Sequence, residues 1–273
     1  MKNFLLYLGN DRAGSTWLHS ELNKRTDCNF PEEKELYFFQ PWFPVPVGFD
    51  KQNYFDTMAS LVQSPETILT GDMTPINAYA SKEELILFRD ELNRRGFRVL
   101  PVMTLRDPIS HAISLAKLYL TTNDFLSKNN NDHSKIPPFI LDQIQTSAPG
   151  LDPSSVEEVV GISPVLKEIM LPWEKTVENV EDVFGKIHFN FYETLFNEQS
   201  IKALLEYLEI PYMQMDLHKK VFTFGEHPEF SDDQRQEIFE QYTYTKENYS
   251  YAVNLFGKEF IESIWWTPDY NRK

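Results

Sequence analysis

The sequence predicts an α/β protein with a central parallel sheet flanked by helices. Three observations carry this. Short, nearly continuous apolar runs recur along the chain, polar turns close the first two, and each run is followed by apolar residues at helical spacing. The first run, Phe4 to Leu8, is closed by Gly9-Asn10 and suits a strand buried on both faces. After the polar stretch Asp11 to Thr16, Trp17, Leu18 and Leu22 mark a helix. The second run, Arg98 to Leu105, leads into Arg106-Asp107-Pro108. Ile109, Ala112, Ile113, Ala116 and Tyr119 then share one helical face. The third, Ile187 to Tyr192, precedes a helix carrying Ile201, Leu204, Leu205 and Leu208. Strands alternating with helices give a parallel sheet. Ser231-Asp232-Asp233-Gln234 reads as a helix N-cap with acidic first-turn residues.

With 273 residues, 41% hydrophobic and 14% aromatic, the chain is expected to form one packed domain over residues 1–273. Between about 121 and 163 the character changes. Asn129-Asn130-Asn131, Pro137-Pro138 and Pro149-Gly150 punctuate a polar excursion from the core, either an acceptor-site lid or a surface loop, with one short helix expected near Phe139 to Gln145. The aromatic, proline-rich piece Pro41 to Pro46 reads as another irregular connection.

The formal charge of −15 argues against a general electrostatic grip on nucleic acid or anionic membrane, while leaving room for a local basic pocket. A single cysteine, Cys28, rules out an internal disulfide and fits a reducing compartment. No apolar run approaches the roughly 18 residues of a membrane span, and the opening segment lacks a cleavage site. A cytoplasmic location is expected.

The strongest local feature is Arg12-Ala13-Gly14-Ser15-Thr16-Trp17-Leu18, between the first strand and the first helix. Small residues let the backbone curl so that several N–H groups aim at one spot, and the helix N-terminus adds partial positive charge. Ser15 and Thr16 add hydroxyls and Arg12 a full charge, so the loop suits an oxyanion. It is not a Walker A loop, because GxxxxGK[ST] is absent. The bland alternative is a turn whose Ser and Thr cap the helix.

This loop resembles the phosphosulfate-binding loop of the PAPS-dependent sulfotransferases, in which a Lys or Arg precedes a small residue, Gly, two hydroxyl residues, an aromatic and Leu. Arg106-Asp107-Pro108 at a strand end, with Ser114 on the helix after it, is similar to the 3′-phosphate-binding element of the same family; the bland alternative is an Arg106 paired with Asp107 or a nearby carboxylate. Lys34-Glu35-Leu36-Tyr37-Phe38-Phe39 resembles the Lys-Glu-aromatic segment that carries the catalytic glutamate in heparan-type and many bacterial members. Gly71-Asp72-Met73-Thr74-Pro75 resembles their Gly-Glu-Lys-Ser/Thr-Pro segment, Phe191 to Leu195 a family strand end, and Trp265-Trp266 the end of many members. Two departures stand out. Met73 occupies the position of an acceptor-side Lys, which argues against a polyanionic glycan. Thr223-Phe224-Gly225-Glu226 replaces a basic cap on the 3′-phosphate, with Lys219 and Lys220 as the nearest substitutes.

The resemblance implies a P-loop-like sulfotransferase fold that moves a sulfuryl group from 3′-phosphoadenosine 5′-phosphosulfate (PAPS) to an acceptor hydroxyl on a glycan, lipid, peptide tyrosine or small alcohol. The product is 3′-phosphoadenosine 5′-phosphate (PAP), and no metal is needed. In that scheme Arg12, Ala13, Gly14, Ser15, Thr16 and Trp17 hold the 5′-phosphosulfate, while Arg106 and Ser114 take the 3′-phosphate. Arg12 offsets the leaving-group charge, though guanidinium is no proton donor. Glu35 is the candidate general base if burial raises its pKa, and Asp72 is the alternative. The histidine base of the cytosolic sulfotransferases has no counterpart between Ser81 and Phe88. His19, His111 and His188 read as ordinary helix and strand residues, Glu193 as structural, and His227 lacks metal-ligand spacing. The aromatics from Tyr242 to Phe256 read as packing. Alternatives from other classes are a PAP- or PAPS-binding protein without catalysis, a nucleotide-dependent kinase and a structural interaction protein.

Overall fold

The structure, a computed structural model, describes residues 1–39, 53–117, 172–218 and 230–270. The polar excursion at 121–163, the connection 41–46, the cap at 223–226, Lys219, Lys220 and His227 lie outside the described residues. The architecture is α/β: a four-stranded, wholly parallel sheet flanked by helices, as the alternating pattern predicts. No helix among the described residues is long and apolar enough to cross a membrane. The chain divides into two compact units, Met1–Arg106 with Lys175–Thr223, and Asp107–Glu174 with Phe224–Lys273.

The first unit holds the sheet, in the order β2-β1-β3-β4. Its strands are β1 (Lys2–Gly9), β2 (Leu69–Asp72), β3 (Phe97–Leu105) and β4 (His188–Phe191). Successive side chains of a strand point to opposite faces, and both faces here are covered. Leu5 and Tyr7 join a core with Trp17, Leu18 and Leu22 of helix α1 (Ser15–Leu22) and with Ile201, Leu204 and Leu205, which lie in a later helix, Glu198–Tyr207. On the other face, Phe4 packs edge-on against Phe97 and against Phe88 of helix α3 (Lys82–Arg94), with ring centroids 5.9 and 5.6 Å apart. Phe38 and Tyr54 extend that cluster, Tyr54 opening helix α2 (Tyr54–Leu61). Apolar contact on two faces explains why β1 is a continuous hydrophobic run rather than an alternating one.

β2 is short and fully buried, and a glycine decides how closely it lies to β1. Gly71 pairs with Leu5, and a Cβ at Gly71 would run into the Leu5 carbonyl. Because β2 lies on one side of β1 and β3 on the other, the strand order reverses at β1/β3. In open parallel sheets ligands bind outside the carboxyl ends of the strands at such a point. The loops that leave β1 and β3 are therefore the place to look for a site.

In the second unit, residues 108–117 form helix α4. Asp107 caps it, accepting from the Ile109 and Ser110 N–H groups, each at 3.2 Å, and from the Ser110 hydroxyl at 2.5 Å; Arg235 lies 4.0 Å away. Ser231 and Gln234 form the expected N-terminal cap, here a reciprocal capping box, of helix Asp232–Gln241. Tyr242, Tyr244 and Tyr249 are buried around helix Thr243–Phe256, so that aromatic stretch is packing, as its spacing suggests. Trp173 and Trp265 pack at 5.9 Å, and Asn248 accepts from the Trp173 N–H at 3.0 Å.

Candidate functional site

The loop after β1 departs from ordinary backbone twice. Arg12 has φ 62° and Gly14 φ 87°, both left-handed. Gly14 is the N-cap of α1 and brings no side chain to cap it. Ser15 is already the first helical residue, so the bland reading of the Ser and Thr as helix caps does not describe the fold. The opening N–H groups of α1 therefore look out past a glycine, which is the arrangement that receives an oxyanion. A side chain at Gly14 would be strained by its φ, and its Cβ would lie 2.9 Å from Leu195 Cδ2. Trp17 closes the back of the loop, donating from its indole N–H to the Asp216 carbonyl at 2.9 Å and packing edge-on to Phe196.

Arg106 follows the last residue of β3 and reaches back to this loop. One of its terminal nitrogens donates to the Arg12 carbonyl at 2.7 Å, and its guanidinium sits 4.4 Å from the centre of the Tyr192 ring. Burial, and next the Arg106 charge, push the Arg12 guanidinium below its ordinary pKa, with Tyr192 and Asp11 opposing. Two guanidinium groups are thus drawn to one loop in a chain whose formal charge is −15. Asp107 contributes the helix cap described above. Ser114 is half-buried in α4, in the second unit.

Glu35 lies in residues 31–39, which carry no regular helix or strand. That segment is held by Thr74, a fully buried side chain whose hydroxyl accepts from the Leu36 N–H at 2.8 Å and the Tyr37 N–H at 3.4 Å. Thr74 is fixed in turn by Asp72, whose Oδ1 accepts from the Thr74 N–H at 2.9 Å while Oδ2 accepts from the Tyr54 hydroxyl at 2.9 Å. Asp72 is fully buried, and burial raises its pKa against these hydrogen bonds. With both oxygens engaged, it supports the Glu35 segment and faces no solvent.

The Glu35 carboxylate accepts from the Lys34 ammonium on Oε1 and from the Tyr37 hydroxyl on Oε2. Burial acts to raise its pKa, but the Lys34 charge and hydrogen bond, together with the Tyr37 hydrogen bond, outweigh it and hold Glu35 below the usual carboxylate range. The condition set for Glu35 as a base, a pKa raised by burial, is therefore not met here: its own neighbours keep it ionised and weaken it as a base. Lys34 Nζ also donates to Ser15 Oγ at 3.2 Å and lies 3.5 Å from the Met73 carbonyl. Lys34 thus ties the Glu35 segment to the first residue of α1.

Sequence reasoning assigns no role to Asp11. The structure brings it into the same field: burial first, then the Glu35 charge, push its pKa up to about 7, with Lys34 and Arg12 opposing. A carboxylate directly before the residues read as an oxyanion loop was the available signal. Thr74 was also without a role, because its contacts with Leu36 and Tyr37 join positions far apart in the chain, and Tyr37 was read only as part of the Lys-Glu-aromatic segment. The histidines outside the site behave as expected. His19 meets the Pro31 carbonyl at 3.1 Å, and His188 meets Asn190 and stacks on Tyr207; burial lowers both pKa values.

No family model matches the chain, and no curated protein does. Solved structures do. A sulfotransferase from Alicyclobacillus acidocaldarius superposes with a TM-score of 0.54 at 14% identity, over 92% of this chain and 96% of that one. The sulfotransferase domain from the curacin biosynthetic pathway gives 0.42 at 13% identity, over 80% of each chain. Mouse sulfotransferase SULT7A1 complexed with PAP gives 0.41 at 12% identity, over 78% of this chain and 61% of that one. The first likeness extends over nearly the whole of both chains, and it shows that this chain has the fold of that bacterial sulfotransferase.

Proposed function

We propose that the chain is a PAPS-dependent sulfotransferase acting on an acceptor hydroxyl. One observation carries this reading: Arg12 and Arg106 converge on the uncapped start of α1, at the carboxyl ends of β1 and β3, with Glu35 tied to the same helix through Lys34. The N–H groups of residues 13–17 would hold the 5′-phosphosulfate. Arg106 would take the 3′-phosphate, and Ser114 is assigned to that phosphate by the family resemblance. Glu35 would accept the acceptor's hydroxyl proton as the acceptor oxygen bonds to sulfur. The bond from sulfur to the bridging phosphate oxygen breaks in the same in-line displacement, and Arg12 would offset the charge left on that oxygen. Asp72 is the weaker choice of base, since Tyr54 and Thr74 engage both its oxygens. The single buried thiol of Cys28 suits a cytoplasmic site of action.

The test is thermal unfolding with PAP, AMP and no ligand. A ligand at a hundred times its dissociation constant should stabilise the folded chain by about 2.7 kcal/mol. A shift with PAP that is absent with AMP and lost in Arg106→Ala supports the reading. The lack of any shift at millimolar PAP overturns it. A second reading, PAP binding without turnover, is favoured by the two donors that already occupy Glu35. It predicts that wild type and Glu35→Gln release PAP from PAPS equally slowly in the presence of any alcohol acceptor.

A further inference from the structure

Lys34 is the side chain whose position the functional reading leaves unused. It is 15% exposed, and its ammonium is shared among three acceptors: Glu35 Oε1, Ser15 Oγ at 3.2 Å and the Met73 carbonyl at 3.5 Å. Those three mark the three sides of the place where transfer would occur. Ser15 opens the helix whose N–H groups would hold the anion, Glu35 is the proposed base, and Met73 follows the last residue of β2. A sulfuryl group between the helix start and Glu35 would bring its outer oxygens into the reach of this ammonium. Among the described residues, Ser15 and Glu35 bond no other lysine.

We propose that Lys34 is a catalytic residue that exchanges Glu35 for the sulfuryl oxygens when PAPS binds, so that the base is released only when a transferable group is in place. This rests on the sulfotransferase reading and extends it. The exchange moves hydrogen bonds and makes or breaks no covalent bond. Its electrostatic consequence has a definite sign. Glu35 is faced by Lys34 and Tyr37 from its own segment and by Asp11 from the loop after β1, with Asp11 itself opposed by Arg12. Asp72 faces Tyr37 from β2. Of these, only Lys34 supplies a positive charge to the carboxylate, so its departure leaves burial and the negative neighbours to raise the Glu35 pKa. An idle enzyme would thus carry a weak base, and a loaded one a strong base. PAP has no sulfuryl group and would leave Lys34 on Glu35.

The experiment compares PAP with PAPS, both without acceptor, on wild type, Lys34→Ala and Lys34→Arg. Binding is read by calorimetry. The Glu35 titration is read by carbon-13 carboxyl NMR on glutamate-labelled protein, with the signal assigned by its loss in Glu35→Gln. Wild type should prefer PAPS to PAP by about tenfold, the worth of one charge-assisted contact. The preference should vanish in Lys34→Ala with PAP affinity kept, and Lys34→Arg should restore part of it. The Glu35 midpoint should rise with PAPS more than with PAP in wild type, and should already be raised in ligand-free Lys34→Ala. Retained PAP affinity also certifies that the variant is folded. The proposal is overturned if Lys34→Ala keeps the PAPS preference, or if PAPS and PAP leave the Glu35 midpoint in the same place. Failure of PAP to bind wild type would instead remove the sulfotransferase reading itself.

Discussion

The loop between β1 and α1 and the segment that carries Glu35 reach the same place by different means. The loop is fixed by backbone: a strand end, two left-handed residues, a helix start, and a guanidinium bonded to the Arg12 carbonyl. The Glu35 segment has no strand or helix, and it hangs on side chains, Leu36 and Tyr37 on Thr74, Thr74 on Asp72, and Asp72 on Tyr54. The first construction sets the proposed anion site in backbone geometry. The second is built from side-chain hydrogen bonds, so substitutions at a distance can retune the carboxylate.

The largest effect should come from breaking the cradle conservatively. Arg106→Lys keeps the charge but loses the planar fork that serves the Arg12 carbonyl and would serve the proposed phosphate. PAP should bind about 10- to 100-fold more weakly by calorimetry. Breaking the other construction should separate stability from donor binding. Thr74→Val leaves the buried Leu36 N–H without its acceptor and should lower unfolding stability in urea by about 2 kcal/mol, with PAP affinity unchanged. If PAP binding falls in parallel, the two regions are one cooperative unit and the contrast between them fails.

Asp11 sharpens the comparison from the side of pH. Its folded pKa of about 7 lies above the unfolded carboxylate value, so the folded chain holds this proton longer than the unfolded one. This contribution to stability is therefore full below about pH 4 and is lost as pH rises toward 7. Asp11→Asn should flatten that part of the stability profile, by on the order of 2 kcal/mol after allowing for solvent access. Denaturant midpoints at pH 5 and pH 8 measure it. Gly14→Ala should have the smallest effect, about 1 kcal/mol from its left-handed φ, with part relieved by movement of Leu195.

The same contrast sets what could be read from the sequence. β1, β3, β4 and the loop Arg12 to Trp17 were legible because their signals are local: an apolar run, a small-residue turn and a helical period within some twenty residues. β2 was not among the three strands read, since four buried residues give no period to recognise. Glu35 was found by its neighbours' resemblance to a family segment. Its electrostatic state turns on the side-chain contacts of Lys34 and Tyr37, which residue order alone does not show. The bond from Lys34 to Ser15 and those from Thr74 to Leu36 and Tyr37 span parts of the chain that only the sheet brings together.

The strand order also has a consequence for how the protein is made. β1 lies in the interior of the sheet, with Phe4 paired to Thr70 on one side and to Val99 on the other. Both partners leave the ribosome after β1, and at about 5 to 20 residues per second the second arrives several seconds later. Until then the apolar run Phe4 to Leu8 lacks one of its two sheet partners. Pairings this distant in sequence are also slow to close once the chain is complete. Lowering the temperature during expression should raise the soluble fraction without altering the folded product.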